Sequence, residues 1–75
     1  MNDSEFRKKQ LIKEIVDNPL FADMIRDMKQ EFASAMLLAE DIAERDNLFY
    51  QAKVVDKFVG QLTRIANEIR MLNAA

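Results

Sequence analysis

Cysteine and histidine are both absent from this 75-residue chain, and most of the chemistry open to a small protein goes with them. Without cysteine there are no disulfides and no thiolate ligands, and nothing marks the redox compartment. Without histidine the commonest metal ligand and the commonest general base are missing. The remaining hydroxyls, Ser4, Ser34, Tyr50 and Thr63, stand in no nucleophile motif. A single glycine, Gly60, cannot build a phosphate-cradling loop. No catalytic, cofactor-binding or metal site is therefore expected, and the chain reads as a non-enzyme.

Long apolar runs are absent as well. The uncharged stretch over residues 33–39 is far too short to span a bilayer. The N-terminus lacks the basic-then-apolar order and small-residue cleavage site of a secretory signal. The expectation is a soluble intracellular protein with no membrane role, or one enclosed in a larger particle. A chain this short has marginal stability unless something reinforces it. With disulfides and metals excluded by composition, association with other chains is the remaining route.

What the chain does have is apolar periodicity. Phe21, Ile25, Met28, Phe32, Ala35, Ala39 and Ile42 advance by alternating steps of four and three, and so do Leu48, Ala52, Val55, Val59, Leu62, Ala66 and Ile69. That spacing keeps one seam of a helix facing a partner helix over several turns. The two ladders are out of step. Continuing the first beyond Ile42 lands on Asp46, Phe49 and Lys53, so the register resets. The reset places a turn near 39–42, with Asp41 and Glu44 spaced as a capping box. A turn at Asp46–Asn47 and a single unbroken rod to Leu72 are the alternatives.

Asn18–Pro19 is the other punctuation mark. Proline suits the first position of a helix and asparagine the cap before it, so one helix stops by Asn18 and the next starts at Pro19. Asp23 then lies near the positive end of that helix. Residues 1–17 read as an N-terminal arm or short helix capped by Asp3 or Ser4. It carries a ragged stripe of Phe6, Leu11, Ile12, Ile15 and Val16. Its basic cluster, Arg7, Lys8, Lys9 and Lys13, is neutralised by Glu5, Glu14 and Asp17.

The expected organisation is one all-α domain over 1–75. It is a helical hairpin of two long antiparallel helices, 19–38 and 41–72, with a short N-terminal helix, associating into a helical bundle. A further ladder in the last helix, Phe58, Leu62, Ile65, Ile69 and Leu72, makes its apolar face wider than one partner helix covers. A dimer of hairpins supplies four helices at least cost. The expected interaction core is Phe21, Ile25, Met28, Phe32, Val55, Phe58, Val59, Leu62, Ile65 and Ile69. Met24, Met36 and Leu38 widen the stripe on the first long helix, and methionine adapts to several partners. Gly60 lies mid-helix, either as a tolerated surface glycine or as a point of close approach by another backbone.

Charge is distributed unevenly within a net of −2. Residues 1–18 carry four basic and four acidic groups, residues 19–47 three and seven, and residues 48–75 four and two, giving 0, −4 and +2. An acidic helix followed by a basic one suits antiparallel pairing within or between chains. Asp23, Asp27 and Glu31 recur at four-residue spacing and form an acidic face. A solvated face is the expectation there, because carboxylate metal sites in bundles add histidines. Nucleic acid is not an expected partner: no helix collects Arg and Lys on one face, Lys53, Lys57 and Arg64 being the best set.

The order Asp17-Asn18-Pro19-Leu20-Phe21, a long helix, Arg45-Asp46-Asn47-Leu48-Phe49-Tyr50, and then Lys53, Val55, Asp56 and Phe58 resembles a loose group of small helical-hairpin proteins encoded by tailed bacteriophages. The chain lacks the Pro- or Thr-rich turn common in that group, which carries no established activity and so no functional residues to transfer. The resemblance implies a virion or assembly accessory factor, located in the host cytoplasm or within the virion. Its partners would be further copies of itself, a phage structural protein or a host protein. Two other readings stand beside it. One is a small phage inhibitor that binds a host protein through the acidic helical face. The other is a nucleic-acid adaptor using Arg7, Lys8 and Lys9.

Overall fold

Asn2, rather than Asp3 or Ser4, caps the first helix. Its side-chain Oδ1 accepts from the Glu5 backbone N–H at 2.8 Å in the computed structural model, which describes residues 2–74. The model is all-α: 93% helical, with three helices and no strand among the described residues. The helices are α1 (Asp3–Asp17), α2 (Pro19–Leu38) and α3 (Ile42–Ala74).

One residue separates α1 from α2. Asn18 has extended geometry, and its N–H donates to the Ile15 carbonyl at 3.2 Å, closing α1. Its side chain accepts from Leu20 N–H at 3.0 Å and its carbonyl from Phe21 N–H at 2.9 Å, opening α2. Pro19, with no N–H to leave orphaned, occupies the first turn.

Three residues separate α2 from α3. Ala39 leaves the helix with extended geometry, and Asp41 Oδ1 accepts from Glu44 N–H at 2.7 Å. The break therefore falls where the apolar register resets, without glycine or proline. Beyond it Ile42 leaves the first ladder and is largely exposed.

At about 1.5 Å per residue the 33 residues of α3 span about 50 Å, which accounts for the 51 Å long dimension of the molecule. The 20 residues of α2 are too short to line its whole length. Lys29 and Asp56 meet at 2.6 Å, which sets α2 beside α3 from about residue 47 to about residue 66. The remaining overhang is covered by α1. Lys9 pairs with Glu68 at 3.2 Å and Asp17 pairs with Arg70, so a step of eight residues along α1 matches a step of two along α3. The helix thus crosses α3 instead of running along it. Beneath the crossing, Ala66 and Ile69 are both 0% exposed. The small Ala66 side chain lets α1 approach closely.

The second ladder is buried or half-buried at all seven positions. On α1, only Ile12 and Val16 of the five apolar stripe residues are half-buried, with Lys9, Gln10 and Lys13 beside them. Phe6, Leu11 and Ile15 remain on the surface. Two lysines share the docking face because their stems cover apolar surface while the ammonium groups reach carboxylates.

Gly60 is solvent-facing within this chain: a Cβ added there meets nothing within 4 Å. Gly60→Ala is expected to stabilise α3 by ~1 kcal/mol. Thermal unfolding should then shift upward by roughly 4–8 °C. A downward shift, or weaker association, would show that another chain's backbone packs against this position.

Candidate interaction surface

Three side chains count as buried among the described residues: Ala39, Ala66 and Ile69. Ile69 is the one large side chain that is fully buried. The accessible surface is 5939 Å². A compact protein of 8.7 kDa exposes about 4,700 Å². The excess is about 1,200 Å², more than the ~800 Å² that each partner contributes to a standard protein–protein interface. The radius of gyration, 16.1 Å, likewise exceeds the roughly 11 Å of a compact chain of this length.

Apolar side chains line both flanks of the α2–α3 pair. On the flank marked by the Lys29–Asp56 bridge lies an open groove of about 610 Å³, with Phe21, Ile25, Val59 and Thr63 among its lining. Val16 of α1 closes one end. Arg26 and Lys29 edge the groove, but both cations are engaged. Arg26 bridges Asp23 at 3.2 Å and Asp27 at 3.5 Å, and Lys29 holds Asp56. The Thr63 hydroxyl donates to the Val59 carbonyl at 2.9 Å, so the groove offers no free polar anchor there.

Helical periodicity places the second set on the opposite flank. Leu20, Met24 and Met28 recur at steps of four on α2, and Val54 and Phe58 do so on α3. Met24 is 63% exposed and Phe58 58%. These five residues are exposed, and Glu31, seven residues on from Met24, shares their side of α2.

Of the expected core residues, Phe21, Ile25, Phe32, Val55, Val59, Leu62 and Ile65 are half-buried and Ile69 is buried. Met28, 37% exposed, lies at the edge of that set, and Phe58, 58% exposed, lies on its flank. Sequence reasoning passed over Leu20 and Val54. Their signal was present as the four-residue spacing to Met24 and to Phe58, flanking the main ladders.

Asp23, Asp27 and Glu31 are exposed along α2, as a shared face requires. The bridges from Arg26 to two of them make the face less acidic than its composition suggests. Among the described residues no three carboxylates gather in a metal-binding group. No helix among them is long and apolar enough to cross a membrane.

Asp17 ties α1 to α3. Hydrogen bonds from Lys13, at 2.9 Å, and then from Arg70 favour its ionised form and hold its carboxyl below the usual aspartate range. A depressed folded-state value means that this tie is fully present above the unfolded pKa and is lost as pH falls through the folded one. Acidification below about pH 4 is therefore expected to loosen α1 first. Amide exchange should speed up over residues 3–17 before it does in α3, and Asp17→Asn should reproduce that loosening at pH 7. Equal protection of α1 and α3 down to pH 2 would show that the tie contributes nothing.

Comparison with protein families, with characterised proteins and with solved structures returns no match for this chain.

Proposed function

We propose that the chain is a non-enzymatic helical protein–protein interaction protein. In this reading it is a helical hairpin with a crossing N-terminal helix that self-associates into a bundle, serving as a phage virion or assembly accessory factor. The observation that carries this reading is the imbalance between one fully buried large side chain, Ile69, and exposed apolar side chains on all three helices. Exposed apolar surface of that extent marks interaction sites. Oligomerisation is also the route to stability that the composition leaves open. The phage assignment rests on the residue order around Asn18–Pro19 and Arg45–Tyr50. A phage structural protein or a host protein is the natural further partner of such an assembly.

The alternative, an inhibitor that engages a host protein through Asp23, Asp27 and Glu31, draws on the exposure of all three carboxylates. It predicts salt-sensitive binding that charge reversal at Glu31 weakens, with no change of oligomeric state. Light scattering coupled to size-exclusion chromatography, at two concentrations, tests the lead reading. A mass of two or more chains is expected. A helical monomer at both concentrations would remove self-association from the account.

A further inference from the structure

We infer that the outer face of α3, turned away from α1 and α2, is a contact for single-stranded nucleic acid. Lys53, Lys57 and Arg64 meet the phosphates of the strand there, and Tyr50 stacks on a base. The face is separate from the apolar flanks, and its use does not depend on self-association.

Packing within the chain leaves the basic charge of α3 unused. Among the described residues the one ion pair between α2 and α3 is Lys29–Asp56, in which the cation comes from the acidic helix. From Asn47 to Asn67, α3 carries Lys53, Lys57 and Arg64 against a single carboxylate, Asp56, which Lys29 already holds. The three cations are exposed, and none has an ion-pair partner among the described residues. At about 3.6 residues per turn they fall within about 40° of one another, opposite the seam of Val55, Val59 and Leu62. The row they form is about 16 Å long. Arg26, by bridging Asp23 and Asp27, lowers the repulsion that an approaching anion meets from α2.

The rest of the row selects the occupant. Tyr50 stands one turn before Lys53 and is 67% exposed. Lys53 lies over the Phe49 ring at 4.8 Å, which holds the ammonium on this face without cancelling its charge. Gly60 falls between Lys57 and Arg64, with open space where a Cβ would stand, so a strand can reach the helix between the two cations. An acidic protein helix would meet this row through exposed ion pairs, which contribute little. A nucleic-acid strand brings condensed counterions, and their release gives the same three cations a driving force. Base stacking on Tyr50 adds to it, and a single strand offers the base faces that a paired duplex keeps closed.

The test is fluorescence anisotropy of a labelled oligothymidylate titrated with the purified chain over a salt series. Binding at low salt is expected, with log affinity falling against log salt at a slope of about −2, because each strand phosphate neutralised contributes about 0.7. Affinity then drops roughly 20-fold between about 50 and about 200 mM salt. Lys57→Gln should make the slope shallower by about 0.7. Tyr50→Ala should weaken binding and leave the slope unchanged. Both positions are exposed, and circular dichroism checks that the helices are kept. No anisotropy change at the lowest salt would overturn the contact. A slope that Lys57→Gln leaves alone, while Arg7→Gln with Lys8→Gln reduces it, would move the site to α1 and overturn this face. Equal affinity for a duplex of the same length would overturn the single-strand assignment. Displacement of the oligonucleotide by polyglutamate at lower charge concentration would make an acidic protein the occupant instead. None of these outcomes bears on whether the chain self-associates, so the two readings fail separately.

Discussion

Leu62→Asp is expected to remove most of the helical signal and all association, the largest single effect foreseen for this chain. Leu62 belongs to both ladders of α3 and is half-buried. It lies one turn from Val59 and Ala66, next to Thr63, at the level where Val16 of α1 and Phe21 of α2 converge on α3. All three helices therefore depend on this level. A carboxylate there either keeps its charge without a partner or takes up a proton, and both routes cost several kcal/mol. The stability of a 75-residue domain is only about 4–11 kcal/mol. The helices released have no independent means of persisting, since an isolated helix of fifteen residues is marginal in water. Gln61→Asp is the control, because Gln61 is exposed beside it and should lose little. Circular dichroism and light scattering on the pair give the answer: if Leu62→Asp stays folded and associated, the seam along α3 has been misassigned.

The parts of the architecture that were legible in the sequence are those governed by local chemistry. Asn18–Pro19 announces a helix boundary because a proline N1 and an asparagine cap act within one turn. The break at 39–41 carries neither glycine nor proline, but two ladders out of register cannot share one straight seam. The capping acceptor of α1 was less legible, because Asn2, Asp3 and Ser4 are consecutive residues with similar chemistry and only the helix's exact phase chooses among them. The docking face of α1 was hidden for a different reason. Its five apolar residues spread over more than one face, and the choice of Ile12 and Val16 belongs to the surface of α3 that receives them. Phe58 marks the same limit. Its spacing qualifies it for a seam, but spacing does not say whether the seam lies within the chain or between chains. The relative lengths of α2 and α3 do bear on this question. A 33-residue helix beside a 20-residue one leaves an overhang, and α1 covers that overhang while the flank carrying Phe58 stays open.

Ile69→Ala is expected to release α1 and leave α2 and α3 together. Ile69 is fully buried, and truncating a buried isoleucine to alanine typically costs 2–5 kcal/mol, the higher end applying where the site cannot collapse. α1 presents a half-buried face of Lys9, Gln10, Ile12, Lys13 and Val16 to the rest of the chain. Its half-buried apolar contacts are Ile12 and Val16, and its two ties to α3, Lys9–Glu68 and Asp17–Arg70, are solvent-facing ion pairs of the kind that contribute least. The loss at Ile69 therefore falls on the α1–α3 contact itself. The effect should stay local, because the contacts between α2 and α3 run from Lys29–Asp56 along the seam as far as Leu62 and Thr63, short of Ile69. Undocked, α1 melts, and the helical signal should fall by the share that its 15 residues hold beside the 20 of α2 and the 33 of α3. Hydrogen exchange followed by mass spectrometry resolves the outcome by segment. Protection lost over 3–17 and kept over 42–60 would establish α1 as a separately released element, one that a partner could displace. Loss of protection throughout would mean that the three helices fold as one unit, with the crossing at Ala66 and Ile69 holding the whole chain together.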